Sequence, residues 1–260
     1  MCWSPVATGI FGSIYIIGAI GILITRPRNY VISLAFLSFY MLMEWFQFIQ
    51  WIWGDVTVTA NETSLLSACS AINEGFTYFA WMLIWFQPFL FSVMGIYAHR
   101  HAPMTGKKKT FVYLSIVNFI VFLYSVISLA FANITSSTVV DYGYGAILNS
   151  NVGIRTCTFI GRNHHLHWMF RGIHPDYQLN NLMYVILCII SFVHYDWDIF
   201  GIPLSWTLTF FVTIICFQTS LAELPAFWCM MSICSLVINF VYMWAYHMAT
   251  RRSADKKQTV

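Results

Sequence analysis

Glu44 lies in the outer half of a long apolar stretch, with Gln47 three residues on and Trp51 seven on, so the three share one helical face. Asn73 and Glu74 reach a similar depth in the next apolar stretch, with Thr77, Trp81 and Trp85 following on roughly that side. Gln87 lies deeper, before Pro88, whose ring removes a helix hydrogen bond and would bend the segment. A carboxylate in hydrocarbon needs a partner, a proton or water, so an intramembrane ionisable group is a functional candidate. In that reading Glu44 is a charged anchor, and Gln47, Asn73, Glu74 and Gln87 orient a small molecule or ion. Trp45, Trp51, Trp81 and Trp85 would suit an organic cation held by charge and aromatic faces. The blander alternative is that Glu44, Gln47 and Asn73 hydrogen-bond neighbouring helices and only lock the bundle.

A second set of candidates is His164-His165-Leu166-His167-Trp168, within a long polar stretch at 133–179. Residues 164–171 read as a short interfacial helix with Trp168 at headgroup level, and the whole stretch as a lid over the polar residues. His165 and His167 would offer imidazole nitrogens to zinc, with Glu44 or Glu74 completing the set. Their spacing is not the helical pair of a zincin, and interfacial or hydrogen-bonding histidines are the alternative. A third group, His99, His101, His194, Asp196, Asp198 and His247, falls at the opposite ends of the apolar stretches. Seven-helix lipid hydrolases also gather zinc-binding histidines from several spans.

Several chemistries are excluded. All lysines lie at 107–109 and 256–257, so no span offers a Schiff-base lysine for retinal. No Gly-x-Ser-x-Gly elbow, phosphate-binding glycine loop or paired Cys-x-x-Cys occurs. His99-Arg100-His101 stands where many G-protein-coupled receptors carry an acid–Arg–aromatic triplet. No basic stripe interleaved with aromatics suggests nucleic acid.

The elements that must position these residues follow from composition. The 260 residues are 59% hydrophobic and 9% charged, against about 25% charged in soluble domains. The lipid bilayer is therefore the partner of most of the surface. About 20 apolar residues cross the hydrocarbon core as a helix, and seven stretches qualify: 5–25, 29–53, 66–98, 110–132, 180–197, 202–222 and 225–249. The expectation is an all-α, polytopic seven-helix bundle in one domain over 1–250, with a polar tail at 251–260. Ala222-Glu223-Leu224-Pro225 reads as a tight helical hairpin between the last two spans, with Pro225 at a helix start.

Ten of the thirteen Lys and Arg residues fall after odd-numbered spans, at 26–28, 100–109 and 251–257. That side is the cytoplasm by the positive-inside rule, so the N-terminus is outside and the C-terminus cytoplasmic. Sequons at Asn61 and Asn133 then lie outside, as glycosylation requires. The first apolar run has no basic segment before it and reads as a retained helix, not a cleaved signal peptide. Cys2, Cys69 and Cys157 face the oxidising side of a plasma, secretory-pathway or viral membrane. A Cys69–Cys157 disulfide would tie the third span to the long loop, with Cys2 open as a partner. Cys188, Cys216, Cys229 and Cys234 read as small packing residues within spans.

Met1-Cys2-Trp3-Ser4-Pro5, Met43-Glu44 with Gln47, Phe86-Gln87-Pro88-Phe89, and Cys157 followed by His165-Leu166-His167-Trp168 together resemble a known pattern. It belongs to an uncharacterised family of multi-pass membrane proteins that begin Met-Cys-Trp-Ser and occur in bacteria, protists and large DNA viruses. The pieces run from residue 1 to about 168. Cys157-Thr158 and His164 depart from the Cys-Gly and the glycine that the pattern has at those places. The resemblance implies no activity, but it singles out Cys2, Glu44, Gln47, Gln87, Cys157, His165 and Trp168.

Three functional classes follow. The first is binding or transport of a small molecule or ion in a polar pocket in the outer half of the bundle. The second is a metal-dependent intramembrane hydrolase acting on lipid, using the carboxylates with His165 or His167. The third is a sensor or structural protein of a cellular or viral membrane.

Overall fold

A computed structural model describes residues 4–56, 69–104, 106–135, 152–153, 156–160, 164–171, 181–217 and 233–249. Its helices are α1 (Pro5–Thr25), α2 (Tyr30–Trp53), α3 (Ala71–Ala98), α4 (Gly106–Thr135), α5 (Asn181–Phe192), α6 (Gly201–Phe217) and α7 (Ile233–Ala249). The strands are β1 (Val152–Gly153), β2 (Cys157–Ile160) and β3 (Leu166–Arg171). The chain is mostly helical, but it is not all-α.

Helices α1 to α4 are long and apolar enough to cross a membrane, whereas α5, α6 and α7 are shorter apolar helices. Their outward faces say which solvent they suit. On α4, Tyr113, Ile116, Val117, Ile120, Leu123, Tyr124, Ile127 and Phe131 are exposed, at the three- and four-residue spacing of one helical stripe. Such a stripe is at home against acyl chains and would be an association surface in water.

The helix ends depart from expectation for local reasons. Helix α1 opens with Ser4 accepting the amide of Ala7 at 3.1 Å and Pro5 in the first turn. Helix α3 starts at Ala71, not near 66, because the Ser70 hydroxyl caps it by accepting the amide of Asn73. Helix α4 runs from Gly106 to Thr135, so the sequon residue Asn133 lies in its last turn and not in a loop. The fifth apolar stretch does not stay helical to 197. It turns after Phe192, where the Tyr195 amide bonds back to Phe192 O and the Tyr195 hydroxyl donates to Phe91 O at 2.6 Å. A short 3₁₀ turn at Trp197–Ile199 then leads into α6. The expected hairpin at 222–225 and the sequon at Asn61 lie outside the described residues.

Residues 164–171 form β3, not an interfacial helix. Leu166, Trp168 and Phe170 are buried, a period of two that belongs to a strand. β3 is the central strand of the order β1-β3-β2, parallel to β1 and antiparallel to β2. The register pairs Thr158 with Trp168 and Phe159 with His167.

Helix α3 packs against α2, α4, α5 and the sheet, so it is the spine of the molecule. The sheet sits at its N-terminal end, tied by a disulfide between Cys69 and Cys157 whose Cα atoms are 6.1 Å apart. At the other end three connections meet: Arg28 and Asn29 bind the Asp198 carboxylate at 3.4 and 2.6 Å, while Lys107 and His99 bind Asp196. The protein thus has a cap end and a charged end.

Candidate functional site

The buried face of α2 carries Glu44, Gln47 and Gln50, with 2%, 0% and 0% of their surfaces exposed. Spaced three apart, they rise along one side of the helix toward the cap. Gln50 is joined to the sheet at both ends of its amide: its nitrogen donates to Thr158 Oγ1 at 2.8 Å, and its oxygen accepts the Trp168 indole N–H at 3.1 Å. Trp168 is therefore a buried anchor of the sheet and not a headgroup residue.

Helix α3 grips the same strand. Asn73 donates to Thr158 O at 2.9 Å and accepts the Thr158 amide at 2.8 Å, so one side-chain amide pairs like a strand neighbour. The Thr77 hydroxyl lies 2.7 Å from that of Thr158. Phe170 packs on Trp81, with ring centroids 4.5 Å apart. Both side chains thus dock the sheet, while the Thr77 hydroxyl also bonds back to Asn73 O at 2.8 Å and the Asn73 amide also reaches Asp55 O at 3.4 Å. Glu74, one residue from Asn73, is half-exposed and off the face that carries Asn73 and Thr77.

Gln87 works at mid-bundle. Its Oε1 accepts the Tyr184 hydroxyl at 2.7 Å and the Tyr40 hydroxyl at 3.4 Å, joining α3 to α5 and α2. Beside it, Pro88 O accepts from the Asn118 amide of α4 at 3.0 Å and from the Ser92 hydroxyl one turn along α3 at 3.1 Å. Of the four tryptophans, Trp81 and Trp85 adjoin, with ring centroids 5.6 Å apart. Trp45 lies against Gly12 of α1, Trp81 donates its indole N–H to Ser125 O of α4, and Trp85 meets Tyr184 of α5 edge-on.

The alternation of β3 separates its residues. Trp168 and Phe170 face the helices, while His167 stands opposite Phe159 on the other face. His165 lies on that side too, its ring nearly parallel to that of His167 with centroids 6.4 Å apart. This face is also covered, since Cys157, Phe159 and His165 are buried. Burial lowers the pKa of both imidazoles, that of His165 to about 4, with the neighbouring His167 a second cause. Both rings are neutral at physiological pH. The structure does not bring them onto the face where Gln50 and Asn73 meet Thr158.

The histidines of the charged end do not form a metal cluster among the described residues. His99 binds Asp196 at 2.9 Å, the His194 Nδ1 contacts Ile190 O at 2.9 Å, and His101 is exposed. The Lys107 ammonium beside Asp196 holds that carboxyl below its usual range.

The site has members that sequence reasoning passed over: Gln50, Thr158, Tyr40 and Tyr184. Gln50 carried a usable signal, since it continues the three-residue spacing of Glu44 and Gln47. The other three are ordinary residues in sequence, and only the tertiary contacts give them a role.

Comparison with known proteins agrees with the expected kinship. A family described as of unknown function (DUF5765) matches residues 11–249. An uncharacterised protein of Acanthamoeba polyphaga mimivirus is 35% identical over 246 residues, covering 94% of this chain and 96% of the viral one. No solved structure matches the chain. The family match spans the bundle from within α1 to the end of α7, and the viral relative fits a family that reaches into large DNA viruses. The chain belongs to DUF5765, a family without an assigned function.

Proposed function

We propose that this chain is a multi-pass integral membrane protein that binds or transports a small molecule or ion in the cap-end half of its bundle, with Glu44 as the charged anchor. The observation that carries this is the burial of Glu44, at 2% exposure, on a helix long and apolar enough to span a membrane. An ionisable group so placed is expensive and marks ion or substrate paths by default. Gln47, buried on the same face one turn away, adds a neutral amide next to it, as a recognition site needs.

The proposed topology has seven spans, with the N-terminus outside and the C-terminus cytoplasmic. The gathering of Arg28, Lys107 and their partners at one end supports it through the positive-inside rule. The disulfide at the opposite end supports an oxidising compartment there.

The test is thermal unfolding of the purified protein in detergent, titrated with protons, sodium or choline as probes. Wild type is stabilised by at least one of them, by a few degrees at saturating concentration. Glu44→Gln abolishes that shift and is as stable as unliganded wild type or more so. Unfolding of Glu44→Gln without ligand, or no response of wild type to any probe, favours the second reading. In that reading the polar residues only dock the cap, as the bonds from Asn73, Thr77 and Gln50 to Thr158 would allow.

A further inference from the structure

We infer that His165 and His167 form a two-imidazole site for a divalent transition-metal ion, on the face of the sheet turned away from the helices and separate from Glu44. The secondary structure makes the difference. On a helix, residues two apart point about 200° away from each other and cannot share an ion. On a strand they point the same way, and here the two rings are nearly parallel, 16° apart in plane, with centroids at 6.4 Å. Metal–imidazole bonds of about 2.0–2.1 Å, made in the ring planes, allow centroids up to about 6.5 Å apart around one ion. That limit holds for a linear N–metal–N arrangement, so to hold an ion at a tetrahedral angle the two nearly parallel rings must turn toward a common point and draw closer.

Two further observations point to a metal. The Nε2 of His167 is buried and has no hydrogen bond among the described residues, an unusual state for a buried polar atom. The available donors are nitrogens alone: Cys157 on this face is committed to its disulfide, and no third His, Cys, Asp or Glu joins the pair among the described residues. Imidazole donors without carboxylates select zinc, copper or nickel over magnesium or calcium.

The experiment uses the full chain, purified in detergent without a polyhistidine tag, stripped with chelator, and titrated calorimetrically with zinc or copper chloride. One equivalent binds, and His165→Asn or His167→Asn weakens binding by about tenfold or more. His164→Asn leaves it unchanged, because His164 is exposed at a turn with φ 54°. Glu44→Gln also leaves it unchanged, so this site stands or falls apart from the ligand reading at Glu44. In case the histidine variants misfold, wild type with one equivalent of Cu²⁺ is examined by electron paramagnetic resonance. Superhyperfine coupling to two imidazole nitrogens is expected. A spectrum without nitrogen coupling, no saturable binding by wild type, or undiminished binding by the double variant overturns the assignment.

Discussion

Asn73 shows how much one side chain does here. Its amide pairs with both the N–H and the C=O of Thr158, so Asn73→Ala leaves two buried backbone groups without partners. At about 1–3 kcal/mol for each unsatisfied group, the variant is expected to lose roughly 2–6 kcal/mol of stability, read by thermal or denaturant unfolding in micelles. Hydrogen exchange at the Thr158 amide should speed up before the helices themselves unfold, because the strand is released first. Glu44, Gln47, Asn73 and Gln87 were legible as candidates because an amide or carboxylate in an apolar run contradicts its surroundings. What sequence could not give was their partners. Thr158 lies 85 residues from Asn73, and nothing local in either segment encodes that meeting. The bland expectation for Asn73, that it locks the structure, describes its observed bonds; Gln47 and Glu44 are buried on the same face that leads to the cap.

At the scale of elements, long apolar helices announce themselves and short paired strands do not. The seven apolar stretches each contain a helix, yet their ends were set by features that hydropathy ignores, such as the Ser70 cap and the turn-back at Tyr195. Residues 164–171 were misread because three histidines and a tryptophan suit an interface as readily as a strand. Only the pairing with β2 and the hydrogen bonds from α2 and α3 decide for the strand. Helix contacts set their own limits. A Cβ at Gly95 of α3 would overlap the buried ring of Phe111 on α4. Gly95→Ala gains about 1 kcal/mol of helix propensity but is expected to lose about 1–3 kcal/mol to overpacking, for a net fall in melting temperature. Combining it with Phe111→Ala relieves the overlap, so the double variant should lose less than the two single effects combined.

Over the whole molecule, the two ends are fastened by different physics. The cap end relies on a disulfide and buried hydrogen bonds, and the charged end on exposed ion pairs. Reduction of Cys69–Cys157 is expected to cost about 2–4 kcal/mol, seen as a lower melting temperature in dithiothreitol that Cys69→Ser reproduces. At the charged end, Lys107 lowers the pKa of Asp196 in the folded state. The folded state therefore holds its proton less tightly than the unfolded one. The pair stabilises above the ordinary carboxylate pKa of about 3.9, and that contribution is lost as pH falls through the lower folded value. Half-exposed as it is, the pair is worth under about 1 kcal/mol. Lys107→Ala should flatten the acid limb of the stability–pH curve slightly, and high salt should mimic it. Two of the three basic clusters read in sequence, at 26–28 and 100–109, meet at this end through Asp196 and Asp198, while the cluster at 251–257 lies outside the described residues. The cap's architecture was not foretold, because it depends on one cross-link and one strand register.

The Cys69–Cys157 bond also changes what it means to cut this protein. The cysteines are 88 residues apart, and α3 and α4 both lie between them. That stretch is a closed covalent ring, with the rest of the chain leaving it as two tails. One proteolytic cut anywhere inside the ring opens it without dividing the molecule. A nicked protein should run at full mass on a non-reducing gel and split into two fragments only when the disulfide is reduced.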